Sequence, residues 1–425
     1  MACNCTGRSA CHRLGIYLTY YRSDHLRTIE GELFPALVSA GAISKANAAD
    51  PKKSALVRCA RTDKGVHAAG NVVSLKLMVD DPDLVKKVNE KLSPQIRVWN
   101  IQVTNKSFSS YLMCDSRIYE YLLPSHCLLP PHPTSYIGRK IQESVDKEGD
   151  LEGYNARQEE VATFWEDAGK KYLKPIFENL PEDIREIAEK AFAHGEELND
   201  PEEEEEQQTE QATEGEGNEK DGESKRRLWP RGLIDEHPRK EEIAKAMKAI
   251  NAAYREAKLS YRVPPSRLAR LQAALDRYVG TKNYYNYTIQ KRHNDPSAKR
   301  HIKSFTLNQT PIMINGTEWL SLKVHGQSFM MHQIRKMVAM AVQVVRCGCV
   351  PDRINESFGP TRIGIPKAPG LGLLLERPVF DAFNKQAEKL GREAINFDKY
   401  EDQIAEFKHR EIYSRIFREE EENHT

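Results

Sequence analysis

Residues 61–68 read Arg61-Thr62-Asp63-Lys64-Gly65-Val66-His67-Ala68. The carboxylate of Asp63 stands among cations, with Arg61 before it and Lys64 beside it, and Gly65 follows. Flanking positive charge favours the ionised acid. The glycine permits a tight turn that could present the carboxylate at a sheet edge. Residues 71–79 (NVVSLKLMV) come next and are rich in strand-forming residues. Val73, Leu75, Leu77 and Val79 fall on one face of that strand. An aspartate in such a turn serves either as a structural cap or as a nucleophile, and these residues alone leave both open.

Working outward from this stretch gives an alternation of strand and helix. On the N-terminal side Thr28 is a plausible N-cap, Ile29, Leu33 and Leu37 recur at helical spacing, and Gly41 fits the stop. On the C-terminal side Asp115 to Leu123 reads as a second strand, and Pro124 to Pro133 breaks the pattern. Residues 133–229 are mostly polar, and 195–228 read as a disordered acidic insertion because so charged a run cannot bury enough apolar surface to order itself. Order resumes near 239 with a helix over Glu241–Lys258 and another from Pro265, where Leu268, Leu271 and Leu275 share a face and Gly280 closes the turn. Trp319 to Val324 reads as a strand, and Ser328 to Cys347 as a long apolar helix stopped by Gly348. The divisions are an atypical segment 1–25, an Asp-bearing half 26–132, a polar insertion 133–238, a second half 239–390 and a charged helical tail 391–425. Together they read as mixed α+β, with two strand-and-helix halves separated by an insertion.

Composition narrows the partners. The 425 residues are 39% apolar, enough for a sizeable core, and no stretch approaches the roughly 18 apolar residues of a membrane span. Residues 201–224 hold eleven acids against Lys220, a local net of −10, so the rest of a chain of total charge +1 carries +11. A basic body suits a polyanion, and a solvated surface with an acidic tail is the plainer alternative. Cys3, Cys5 and Cys11 with His12, and the pair Cys347 and Cys349, lack the spacing of a structural zinc site, so no metal is expected and the thiols read as reduced. Arg8, Arg13 and Arg22 without an acid give the first 23 residues a transit-peptide character, consistent with a mitochondrial pool.

Three further groups could carry chemistry. Strand periodicity puts Arg117, Tyr119, Tyr121 and Leu123 on one face, where a tyrosine either stacks on a base or is half-buried core. In Ser328–Met337, Met331, Ile334, Val338, Ala341, Val342 and Val345 form an apolar stripe with Arg335 beside it. An arginine there either pairs with a carboxylate, for which Asp63 is the candidate, or reaches out to solvent. Gly280-Thr281-Lys282-Asn283-Tyr284-Tyr285 with Lys291, Arg292, Lys299 and Arg300 interleaves aromatics and cations, as a nucleic-acid surface or a solvated basic loop would. A carboxylate-dependent hydrolase would need a second acid, and Asp115 is the residue to test.

Five motifs now stand in one order: RTDKGVHA, SRIYEYLLP, GTKNYYNYT, SFMMHQIRKMV and PKAPGLGLLLE. In this order the chain resembles the TruA-type tRNA pseudouridine synthases, over roughly residues 26–130 and 239–385, and the acidic insertion points to the eukaryotic nuclear branch. The resemblance implies two α/β halves whose antiparallel sheets merge around a central basic RNA-binding cleft. It implies Asp63 as nucleophile, Arg61 as the arginine that helps extrude the target nucleotide, Tyr119 as the tyrosine packed on the target base, and Arg335 as the partner of Asp63. It implies a monomer in the nucleus that acts on tRNA without a cofactor, with mRNA or snRNA as further substrates. A non-catalytic RNA-binding relative is the alternative. Residues 1–25 lack the family's opening G-T-x-Y-x-G-x-Q pattern, so an altered or incomplete N-terminal sheet is expected. Lys282 replaces the usual histidine and Ala339 the usual glycine.

Overall fold

The computed structural model describes residues 11–15, 28–48, 50–62, 65–105, 107–195 and 237–423. Asp63, Lys64 and the acidic run 201–224 lie outside these residues. The chain is mixed α+β and builds two sheets. Strands β1 (Cys11–Gly15), β2 (Val57–Arg58), β4 (Val72–Lys76) and β5 (Ile101–Val103) form an antiparallel sheet in the order β2-β4-β1-β5. The opening strand is therefore present at an interior position, although its sequence departs from the family pattern: Cys11 lies opposite Lys76, and Gly15 opposite Val72.

Helices α1 (Ile29–Ser39) and α2 (Leu84–Lys91) cover one face of this sheet. Thr28 caps α1 by accepting from Gly31 N at 3.0 Å, and Gly41 turns the chain at φ +80°. Leu33 and Leu37 meet Val73, Leu75 and Leu77 of the expected strand face in one buried cluster. On the other face Val72 packs with Phe108 and Phe380.

The larger sheet runs β3-β11-β6-β10-β8-β7, with β9 (Ile312–Ile314) also paired to β10. Its strands are β3 (His67–Ala68), β6 (Ser116–Pro124), β7 (Gly280–Asn283), β8 (Lys299–Leu307), β10 (Thr317–Gly326) and β11 (Leu373–Val379). All its pairings are antiparallel except β3 with β11. β6 comes from the chain's first third yet sits near the middle of this sheet, flanked by two strands from beyond the polar insertion.

That insertion is helical as far as residue 195. Helices α3 to α7 are Tyr136–Glu148, Leu151–Gln158, Phe164–Ala168, Lys174–Glu178 and Glu182–Gly195. Val161, Trp165, Leu173 and Ala188 join the main core, and the Trp165 ring stacks at 4.9 Å on Tyr254 of α8 (Lys240–Ser260). The fully buried Arg267 of α9 (Pro265–Asp276) ties this layer down: Nε donates to Leu128 O at 2.9 Å and Nη1 to Gln158 Oε1 at 3.0 Å.

Helix α10 spans Gln333–Arg346, shorter than the expected Ser328–Cys347. The cause lies at His332, whose φ of +61° is left-handed and cannot continue a helix, while Gln333 Oε1 accepts from Met330 N at 2.9 Å to seal the start. Met331 consequently leaves the apolar stripe and is exposed. After α11 (Arg353–Glu356) and β11, the tail forms α12 (Asp381–Lys389), α13 (Glu401–Phe407), a π-helical turn and α14 (Ser414–Asn423). It docks on the sheet through Phe407, Ile412, Ile416 and Phe417.

Candidate active site

The decisive stretch is a crossover between the sheets. β2 belongs to the four-stranded sheet and β3 to the seven-stranded one, so the chain changes sheets between Arg58 and His67. The chain returns through Ala69-Gly70-Asn71 to β4 in the first sheet. The described residues on either side of Asp63-Lys64 thus form a finger: its outgoing limb, 59–62, leaves the smaller sheet, and His67–Ala68 lies at the edge of the larger one. Gly65, at φ +79°, makes the turn that the sequence reserved for it.

The base of the finger is fastened by hydrogen bonds. Cys59 N donates to Val72 O at 2.8 Å across the two limbs. Asn71 is fully buried; its Nδ2 donates to Ala60 O at 3.1 Å and its Oδ1 accepts from Val72 N at 2.8 Å. Arg117 Nη2 donates to Cys59 O at 2.9 Å. Gly70 lets the returning limb pass close to Phe397 and Glu376 O, which an added Cβ would meet at 2.8 and 3.1 Å. Thr62 and Val66, on either side of the acid, are buried, whereas Arg61 is exposed. Burial pushes the His67 imidazole down to about 4, with Arg415 adding to the effect, so it is neutral at physiological pH.

Across the larger sheet Ala68 lies opposite Leu375, and Leu375 opposite Tyr119, so this row puts Tyr119 two strands from the finger. That is about 10 Å at ordinary strand spacing. Tyr119 is buried and meets Phe329 edge to face, with ring centroids 5.2 Å apart. Phe329 fits because position 326 is glycine: a Cβ there would lie 2.7 Å from its ring.

Arg335 is only 8% exposed, so it does not reach out to solvent. Its Nε donates to Ala368 O at 2.5 Å, and Tyr121 donates its hydroxyl to Pro369 O at 2.8 Å. The Lys367-Ala368-Pro369-Gly370 segment therefore clasps α10 to β6 and sets the guanidinium beside Tyr121. Burial raises the Tyr121 phenol above its ordinary value, and the charge of Arg335 opposes that rise. Gly372 passes so close to Leu122 O that a Cβ would lie at 2.3 Å.

Two sequence-derived alternatives resolve differently. Tyr284, Tyr285 and Tyr287 are core posts: their hydroxyls bond Tyr278 O at 2.6 Å, Pro360 O at 2.7 Å and Ser357 Oγ at 2.6 Å. They offer no stacking surface. Asp115 Oδ2 accepts from Ala382 N at 2.8 Å at the start of α12, a capping role in place of a second catalytic acid. Sequence alone does not single out Asn71 and, although it places Arg117 on the face of Tyr119, gives it no role, because the carbonyls that both side chains bond leave no mark on the side-chain pattern.

Residues 274–381 match the family model described as tRNA pseudouridine synthase, and the chain belongs to that TruA-type family, whose members are isomerases that convert uridine to pseudouridine. It is 42% identical to tRNA pseudouridine synthase 1 of Yarrowia lipolytica over 94% of this chain and 68% of that protein. For tRNA pseudouridine synthase 1 of Schizosaccharomyces pombe the identity is 42%, over 93% of this chain and 76% of the relative. The tRNA pseudouridine(27/28) synthase of Saccharomyces cerevisiae is 33% identical over 96% of this chain and 93% of its own length. The chain spans about two thirds of the length of the tRNA pseudouridine synthase 1 proteins it matches.

Proposed function

We propose that this chain isomerises uridine to pseudouridine in tRNA, with Asp63 as the nucleophile, in a basic cleft along the seam between the two sheets. The observation that supports the reading is the finger: the described residues flanking Asp63 run from the smaller sheet to the edge of the sheet that holds Tyr119, while Arg335 is buried beside Tyr121 on the strand Tyr119 occupies. The charge of +11 outside the acidic run supports a polyanionic substrate.

The chemistry needs little more. The target uridine leaves its stack, at a cost of about a few kcal/mol that pocket contacts must offset. Tyr119, backed by Phe329, would supply an aromatic wall for the base, and Arg61, which is exposed, would reach a phosphate or the vacated stack. Asp63 attacks the ribose anomeric carbon or uracil carbon 6, with Arg335 keeping it ionised and oriented. The bond between the ribose anomeric carbon and nitrogen 1 breaks, the base turns, and the anomeric carbon bonds to carbon 5; the bond to Asp63 is released, the carbon 5 proton departs and nitrogen 1 takes up a proton, so the product is an isomer of the substrate. Lys225-Arg226-Arg227 supports a nuclear address for the same activity, and mRNA and snRNA would present the same flipped base.

Loss of that proton gives a direct assay, tritium release from tRNA carrying 5-tritiated uridine. Asp63→Ala abolishes release and leaves tRNA binding in place. Substantial turnover by this variant would sink the assignment, and a wild-type protein that binds tRNA but releases no tritium would identify a non-catalytic relative.

A further inference from the structure

We propose that Arg117 is a positioning residue for the isomerisation, one whose guanidinium sets the spacing between the segment that delivers Asp63 and the segment that delivers Phe329 and Arg335. The inference rests on the function proposed above and adds a residue to which that function assigns no role. Arg117 stands at the start of β6, opposite Gly326 of β10 on one side and Pro378 of β11 on the other. Its Nη2 donates to Cys59 O at 2.9 Å and its Nη1 to Gln327 O at 3.3 Å.

The two carbonyls belong to different parts of the site. Cys59 begins the outgoing limb of the finger, four positions before Asp63. Gln327 follows β10 and begins the link to α10, two positions before Phe329 and eight before Arg335. The finger's outgoing limb starts from the smaller sheet and the Gln327 link from the larger one, so a single planar group spans the junction that must be exact for the acid, the base wall and the guanidinium to converge. Both ends of this tie are independently stiffened. Asn71 and Val72 hold Ala60 and Cys59 on one side, and the contact of Phe329 with Gly326 holds the link on the other.

Arginine suits this task, because its rigid fork can serve two acceptors at once. A lysine ammonium at the end of a flexible stem has no such fixed fork and would satisfy one carbonyl or the other. Arg117 is half-buried and its bonds to Cys59 O and Gln327 O both run to main-chain oxygens, so its loss acts through the placement of other groups. Displacements of about 1 Å in a reacting geometry can cost about 100-fold in rate.

The test compares wild type with Arg117→Gln, Arg117→Lys and Arg117→Ala in the full chain. It measures single-turnover tritium release from 5-tritiated tRNA, the Kd for that tRNA and the melting temperature. Arg117→Gln is expected to lower the rate constant on the order of 10- to 100-fold while Kd stays within about threefold and melting is essentially unchanged. Arg117→Lys recovers part of the rate, and methylguanidinium added to Arg117→Ala raises its rate without affecting wild type. A fully active Arg117→Gln would overturn the positioning role alone. So would a loss confined to Kd, or a rate that falls only with the folded fraction. Should Arg117→Gln fail to fold, Arg117→Lys carries the same comparison, since it keeps the cation and loses the fork. A wild type that releases no tritium would overturn the function and the positioning role together.

Discussion

Arg335 brings a full positive charge into a site where only 8% of it is exposed, and its Nε is already committed to Ala368 O. The fixed Nε bond aims the rest of the guanidinium, which is how a cation becomes an oriented partner for a carboxylate and not merely a source of positive potential. Arg335→Ala is therefore expected to reduce tritium release by about 10²- to 10³-fold, the scale of losing one preorganised electrostatic contact. Arg335→Lys should fall between that variant and wild type, with tRNA Kd little changed in both. A loss confined to Kd would make Arg335 a phosphate contact and overturn its proposed pairing with Asp63. At this scale the sequence was legible at Gly65, whose expected tight turn is made at φ +79°. It was not legible at Arg117, whose acceptors are carbonyls 58 and 210 positions away. Tyr284 and Tyr285 misled for a related reason. Tyrosines beside lysines look the same in sequence whether they face RNA or, as here, close hydroxyl bonds inside the core.

The C-terminal tail read from sequence as a charged helix, and one of those charges holds it down. Lys408, in the π-helical turn after α13, donates to Glu120 of β6 at 2.9 Å and to Glu376 of β11 at 2.6 Å. Tyr413 and Ser321 donate to the same Glu120 carboxylate at 2.7 and 2.5 Å. Burial by itself would raise the Glu120 pKa, but the Lys408 charge and these hydrogen bonds outweigh it and hold the carboxyl below its ordinary 4.5. A lowered carboxylate contributes stability that is present above 4.5 and lost as pH falls through the folded value. Burial would lower the Lys408 pKa, but Glu120 and Glu376 raise it above 10.5, so its contribution is complete below 10.5 and lost only at more alkaline pH. Lys408→Met should cost about 3–5 kcal/mol near neutrality, since it strands the buried Glu120 and takes a partner from the partly buried Glu376. The deficit should shrink as pH falls and Glu120 takes up a proton. Urea unfolding across pH checks this, and a deficit independent of pH would show that packing, not charge, is what Lys408 supplies. Helices themselves were legible through their periodicity and caps, as at Thr28 and Gly41. The start of α10 was not, because the break at His332 is a backbone conformation that an apolar run does not announce.

At the scale of the molecule, strand content was readable but strand partnership was not. β6 precedes the insertion yet pairs with β10 and β11, which follow it, and RTDKGVHA gains its place only because its flanks lie in different sheets. Partnership across 190 or more residues is set by the complementary faces of whole layers, and no local pattern encodes it. Charge is the exception, since it can be counted on the chain and acts at long range. Residues 201–224 carry −10 on the same polypeptide as a body of +11. Such a tethered polyanion is expected to compete with RNA for that body at a high effective concentration, and because the competition would be electrostatic, salt should screen it. Replacing Glu202, Glu203, Glu204, Glu205 and Glu206 with glutamine should tighten tRNA binding by about threefold to tenfold at ~50 mM salt. The advantage should fade by about 0.3 M, where the screening length drops to roughly 6 Å. Filter binding across a salt series decides it. Equal affinities at low salt would mean that the run does not compete for the RNA surface, while weaker binding by the glutamine variant would mean that its charges assist the complex.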